Sequence, residues 1–186
     1  MAVQCFYNEF AFFQSDKEDK IVQKLEKNLE TQANNNQLIS SLNLLCLASY
    51  TKIYNYDWAR SILYSDEIKD VFKIVVSEPL LERSIKPLLT SITNIKDETS
   101  KIVEYQYSDS PYPRWRYTPT NTEINLDLFI KATNLKTTKN ITILQNPPEI
   151  LVAGCGTGVQ SISFAQKFPK SNILALDLSK SNLSFA

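Results

Sequence analysis

The sequence has no histidine, a single methionine and only three glycines in 186 residues. Without histidine the chain holds no imidazole metal ligand, no histidine-based triad and none of the usual general bases for neutral pH. Net charge is lacking too, because twenty basic and twenty acidic side chains cancel. A neutral chain carries no overall electrostatic footprint for nucleic acid or for an anionic membrane. No apolar run approaches the roughly 18 residues that a membrane-spanning helix needs. The stretch Met1 to Glu9 lacks the basic region and apolar core of a secretory signal. The cytoplasm is therefore the expected location. Cys5, Cys46 and Cys155 are odd in number and far apart, which argues against a disulfide framework or a zinc knot, and no metal is expected.

What glycine there is sits in one place: Gly154, Gly156 and Gly158. Elsewhere the backbone forgoes glycine's positive φ, which suits a mostly helical first part with few tight turns. Ser15 and Glu18 form a capping box ahead of Ile21, Val22, Leu25 and Leu29, which follow at helical spacing. Asn34, Asn35 and Asn36 interrupt the pattern. A second apolar stripe runs through Leu38, Leu42, Leu45, Cys46 and Tyr50, and both stripes read as core. Shorter helices are predicted near 57–64, 66–76, 79–92 and 97–107. No 34-residue period is visible, although paired antiparallel helices fit the spacing. Residues 1–107 thus read as a helical region.

From 108 to 122 the texture changes. Pro111, Pro113 and Pro119 interleave with Tyr112, Arg114, Trp115, Arg116 and Tyr117, which makes an extended, proline-stiffened connector. Its aromatics and arginines resemble a nucleic-acid patch, but the neutral charge favours a linker that locks neighbouring parts together. A third option is that Tyr112 or Arg114 covers a bound ligand. Lys131, Lys136 and Lys139 surround a polar turn and read as a solvated face.

Residues 123–186 read as an incomplete α/β Rossmann-like start, built on one βαβ unit. Ile150 to Ala153 and Ile173 to Leu176 are short apolar runs of the kind found in parallel strands buried on both faces. Between them, Val159, Ile162, Ala165 and Phe168 mark one face of a helix. Gly154 lets the chain turn off the first strand, Gly156 clears a place for a ligand against the backbone, and Gly158 lets the helix pack closely. Asp177, 23 residues after Gly154, ends the second strand, where a carboxylate can accept from a ribose diol. The dinucleotide fingerprint wants glycine three residues after Gly156, where this chain has Val159. That disfavours a nicotinamide-dependent oxidoreductase. A glycine turn can also merely pack tightly. Cys155 reads as a small loop residue, since no histidine is there to activate it as a nucleophile.

The runs "ILVAGCGTG" and "ILALDLS" resemble the first two motifs of class I S-adenosylmethionine-dependent methyltransferases. The resemblance implies that Gly154, Cys155, Gly156 and Gly158 hold the cofactor, that Asp177 binds its ribose and that Leu178 borders the adenine. One departure is Val152, where many members carry an acidic residue. Together with "QCFYNEFAF" and "EYQYSDSPYPRWR", the sequence is similar to bacterial proteins that join tetratricopeptide repeats to such a methyltransferase. The resemblance leaves the methyl acceptor open, as a small molecule or a protein, and makes the helical region a surface for a protein partner. The chain stops soon after a new helix should begin, so a fragment of a longer enzyme is expected, with residues beyond Ala186 supplying catalysis. The rival expectation is a helical protein-interaction module carrying a vestigial, non-catalytic nucleotide fold.

Overall fold

The computed structural model describes residues 1–108, 110–134, 136 and 147–186. The chain divides into two compact units, Met1–Ser84 and Ile85–Ala186.

The first unit is helical. After α1 (Ala2–Tyr7), helix α2 (Asp16–Asn34) starts on a complete capping box: the Ser15 hydroxyl accepts from the Glu18 N–H, and the Glu18 carboxylate accepts from the Ser15 N–H at 2.9 Å. α2 ends on asparagine. Asn36 takes the left-handed conformation, φ 53°, and Gln37 N–H donates back to the Gln32 carbonyl. Helix α3 (Ser41–Ala48) is followed by 3₁₀ turns at Ile53–Asn55 and Asp57–Arg60. A third, Asp66–Ile68, leads into α4 (Lys69–Phe72), a π-helical turn (Lys73–Ser77) and α5 (Glu78–Ile85). Leu29, Ile39, Leu47, Ile53 and Val76 form the driest part of the core. Arg83 lies 4.5 Å from the Tyr54 ring centre and donates to the Tyr54 carbonyl, which ties α5 to the Ile53–Asn55 turn.

Two expectations for this unit change. Ile21 on α2 and Leu38, Leu42 and Cys46 of the second stripe are exposed, and Leu44, Leu47 and Ala48 point inward instead. α3 is apolar around most of its circumference, so spacing alone does not set which face turns in. Nor does glycine scarcity mean few left-handed turns, since Glu9, Phe10 and Asn36 all have positive φ. Asparagine adopts that region readily, whereas Glu9 and Phe10 do so at a cost of about 1–2 kcal/mol each.

The second unit opens with a 3₁₀ turn (Lys86–Leu88) and α6 (Glu98–Gln106), whose N-cap Asp97 accepts from the Ser100 N–H. Irregular chain leads to α7 (Leu126–Ala132), where Phe129 meets Phe164 and Phe168 edge-on. Lys131 and Lys136 are exposed; Lys139 lies outside the described residues. β1 (Glu149–Ala153) pairs in parallel with β2 (Asn172–Leu176), Glu149 opposite Asn172 and Ala153 opposite Leu176. α8 (Val159–Lys167) lies between them in sequence, and α9 (Lys180–Phe185) follows.

The expected α/β Rossmann-like start is thereby corrected. Among the described residues the protein is mostly helical, and its sheet stops at two five-residue strands. The paired side chains Leu151 and Leu174 are 62% and 57% exposed, so these strands are not covered on both faces. Ala165 is likewise exposed on α8. Apolar runs mark strands correctly here, but they do not reveal how many strands join or what covers them. Among the described residues of this unit, few apolar side chains are buried: Pro111, Val152, Cys155 and Phe168. Beside them, Thr157, Ser179, Ser181, Asn182 and Ser184 are buried.

Candidate functional site

The loop from Gly154 to Gly158 leaves the end of β1 and enters α8. Gly154, Gly156 and Gly158 have φ of 72°, 55° and 87°, a region in which an L side chain is strained. The Leu176 carbonyl at the end of β2 accepts from both Gly154 and Cys155 N–H, at 2.8 and 2.9 Å. Gly158 N–H closes a turn onto the Cys155 carbonyl at 3.0 Å.

Asp177 holds the middle of the loop. One carboxylate oxygen accepts from Gly156 N–H at 2.8 Å, and the other accepts from Ser179 N–H at 2.8 Å. A single side chain thus joins the glycine loop to the N-cap of α9. A carboxylate offers about four acceptor positions, so accepting two hydrogen bonds leaves room for more. Leu178, next in sequence, is 43% exposed.

The three glycines differ in what surrounds them. A Cβ added at Gly154 or Gly156 would meet nothing within 4 Å, whereas at Gly158 it would come within 2.8 Å of the Ala186 Cβ. Gly158 therefore permits close packing against the end of α9, while Gly154 and Gly156 face open space. Cys155 is buried, and its thiol pKa is raised by that burial first and by the nearby Asp177 charge second. Both causes oppose the thiolate, so the thiol is held unreactive.

The connector reaches this loop. Trp115 Nε1–H donates to the Thr157 carbonyl at 2.8 Å, and the Thr157 hydroxyl donates back to the Pro113 carbonyl at 2.9 Å. The Trp115 ring meets the Phe185 ring edge-on at 5.3 Å, and the Arg114 guanidinium lies 5.4 Å from the centre of the Phe185 ring. Tyr112 N–H donates to the Asn182 side-chain carbonyl, and the Ser179 and Ser181 hydroxyls donate to the Tyr107 and Ser108 carbonyls. Tyr117 is 91% exposed and takes no part.

The expected residues Gly154, Cys155, Gly156, Gly158, Asp177 and Leu178 thus gather at the ends of β1 and β2. Thr157 and Ser179 join them without having been singled out, and so does Trp115, which the sequence offers only as a connector aromatic. Ser179 carries a readable signal, a serine at a helix start. Trp115 and Thr157 lie 42 residues apart in sequence, and no local pattern pairs them.

No family model matches the chain. No solved structure matches it either. The chain is similar to an uncharacterized protein of Rickettsia prowazekii (strain Madrid E), at 33% identity over 90 residues. The match covers 46% of this chain and 31% of that protein, so the chain spans about a third of the length of its relative. Among the described residues, no helix is long and apolar enough to cross a membrane. Among them, too, no group of three or more His, Cys, Asp or Glu residues is placed to hold a metal ion.

Proposed function

We propose that the Gly154–Gly158 loop and Asp177 form the adenosyl-binding site of a cytoplasmic S-adenosylmethionine-dependent methyltransferase. The observation that carries this reading is the open space over Gly154 and Gly156, next to a carboxylate with acceptor positions to spare. A ligand resting on those two residues meets bare backbone, and Asp177 lies within reach to accept from a ribose diol. Leu178 offers an exposed apolar surface beside it for an adenine. Bound S-adenosylmethionine supplies a sulfonium methyl group for in-line transfer to an acceptor nucleophile. The role of these residues is to hold and orient the adenosyl group. The acceptor is a small molecule or a protein.

A second reading is a helical protein-interaction module whose nucleotide loop catalyses nothing. Its support lies in the first unit, where Leu38, Leu42 and Leu63 are 67%, 76% and 52% exposed.

Calorimetric titration of S-adenosylhomocysteine separates the two, with NAD as the competing ligand class and Asp177→Ala as the site variant. Saturable binding that depends on Asp177 and ignores NAD supports the methyltransferase. A folded chain that binds neither ligand leaves the interaction module.

A further inference from the structure

We infer that Trp115 is a positioning residue of the adenosyl site, an inference that rests on the methyltransferase reading. The glycine loop is tied down from the strand ends and from the connector. Three ties are local to the strand ends: the Leu176 carbonyl, the Asp177 carboxylate and the Cys155–Gly158 turn. Two more come from the connector, the Trp115 indole N–H on the Thr157 carbonyl and the Pro113 carbonyl that accepts from the Thr157 hydroxyl. Thr157 sits between Gly156 and Gly158, two residues with little conformational preference of their own. Its carbonyl is therefore the handle by which the Thr157–Gly158 peptide plane is oriented. Two bonds of opposite direction grip Thr157, since its hydroxyl donates to the Pro113 carbonyl while its carbonyl accepts from Trp115. Thr157 is 3% exposed, so water does not compete readily for that carbonyl.

Trp115 reaches the loop from the side of Phe185 and touches neither open glycine face. Its effect on a ligand is exerted through the loop, by keeping the backbone at Gly156 in the shape that receives the adenosyl group. The connector, which the sequence presents as a spacer, becomes part of the site.

The test exploits the chain's having only two tryptophans, Trp58 and Trp115. Their indole N–H groups give two resolved resonances in a ¹H–¹⁵N spectrum, assigned with Trp115→Phe. Titration of the wild-type chain with S-adenosylhomocysteine should move the Trp115 resonance and leave that of Trp58 in place. Trp115→Phe retains an aromatic ring against Phe185 but loses the donor, and it should bind S-adenosylhomocysteine about five- to tenfold more weakly. Tyr117→Ala, an exposed change in the same connector, should bind as the wild type does. Equal affinity for wild type and Trp115→Phe overturns the role of Trp115 and leaves the cofactor reading standing. A stationary Trp115 resonance during saturable binding overturns it as well, even if Trp115→Phe does not fold. Absence of any binding to the folded wild-type chain overturns both readings together.

Discussion

Replacing Gly156 by alanine separates what the glycine does for the fold from what it does for a ligand. At φ 55° an alanine costs about 1–2 kcal/mol, the ordinary left-handed strain of an L residue. No steric cost adds to this, because the new Cβ meets nothing within 4 Å. The Asp177 bond to the Gly156 N–H is also retained, since alanine keeps the donor. For a unit of this size the melting temperature should fall by about 4–8 °C per kcal/mol. The methyl group, however, projects into the space that the proposed ligand occupies. S-adenosylhomocysteine affinity should then drop at least about tenfold, equivalent to about 1.4 kcal/mol. Thermal melts followed by circular dichroism give the first quantity, and calorimetric titration of the folded variant gives the second. Wild-type affinity in a variant that melts lower would refute the idea that a ligand rests on Gly156.

Gly158→Ala should be clearly more destabilising than Gly156→Ala, because its Cβ adds the contact with Ala186 at 2.8 Å to a similar backbone strain. Combining it with Ala186→Gly should restore part of the loss, and purely additive urea-melt values would remove the contact as the cause. Glu18 supplies a pH dependence. Its carboxylate accepts from the Ser15 hydroxyl, the Ser15 N–H and the Tyr50 hydroxyl, which hold its pKa below the usual glutamate value. A carboxyl depressed in the fold contributes stability above its unfolded pKa and loses it as pH falls through the folded one. Stability of Glu18→Gln should therefore vary less than wild type below about pH 4.3, as urea melts across pH 3–6 (about two units around that value) will show.

Local signals in the sequence carried some features and not others. The start of α2 is readable because a capping box is a short-range device, complete within four residues. Its end is readable too, since an asparagine run supplies the left-handed residue that glycine would otherwise provide. The inward face of α3 is not, because its residues are apolar on nearly every side. Both strands lie where apolar runs mark them, but their exposed face contradicts the doubly buried sheet that the same runs imply, and with it the Rossmann-like assignment. At the candidate site, the three glycines and Asp177 declare themselves by type and spacing. The grip of Trp115 on Thr157 is a tertiary contact between segments with no shared pattern, and only the folded chain brings it into view.

The buried hydroxyls and amide of Thr157, Ser179, Ser181, Asn182 and Ser184 carry one more implication. Among the described residues of the second unit, directional bonds from buried hydroxyls to carbonyls stand beside few fully buried apolar side chains. Apolar exposure raises the heat capacity of unfolding and polar exposure lowers it. This unit should thus unfold with a small heat-capacity increment per residue, and its stability should follow a flatter curve with temperature than that of the leucine- and isoleucine-rich helical unit. Cold weakens an oily core more than it weakens such a polar lattice.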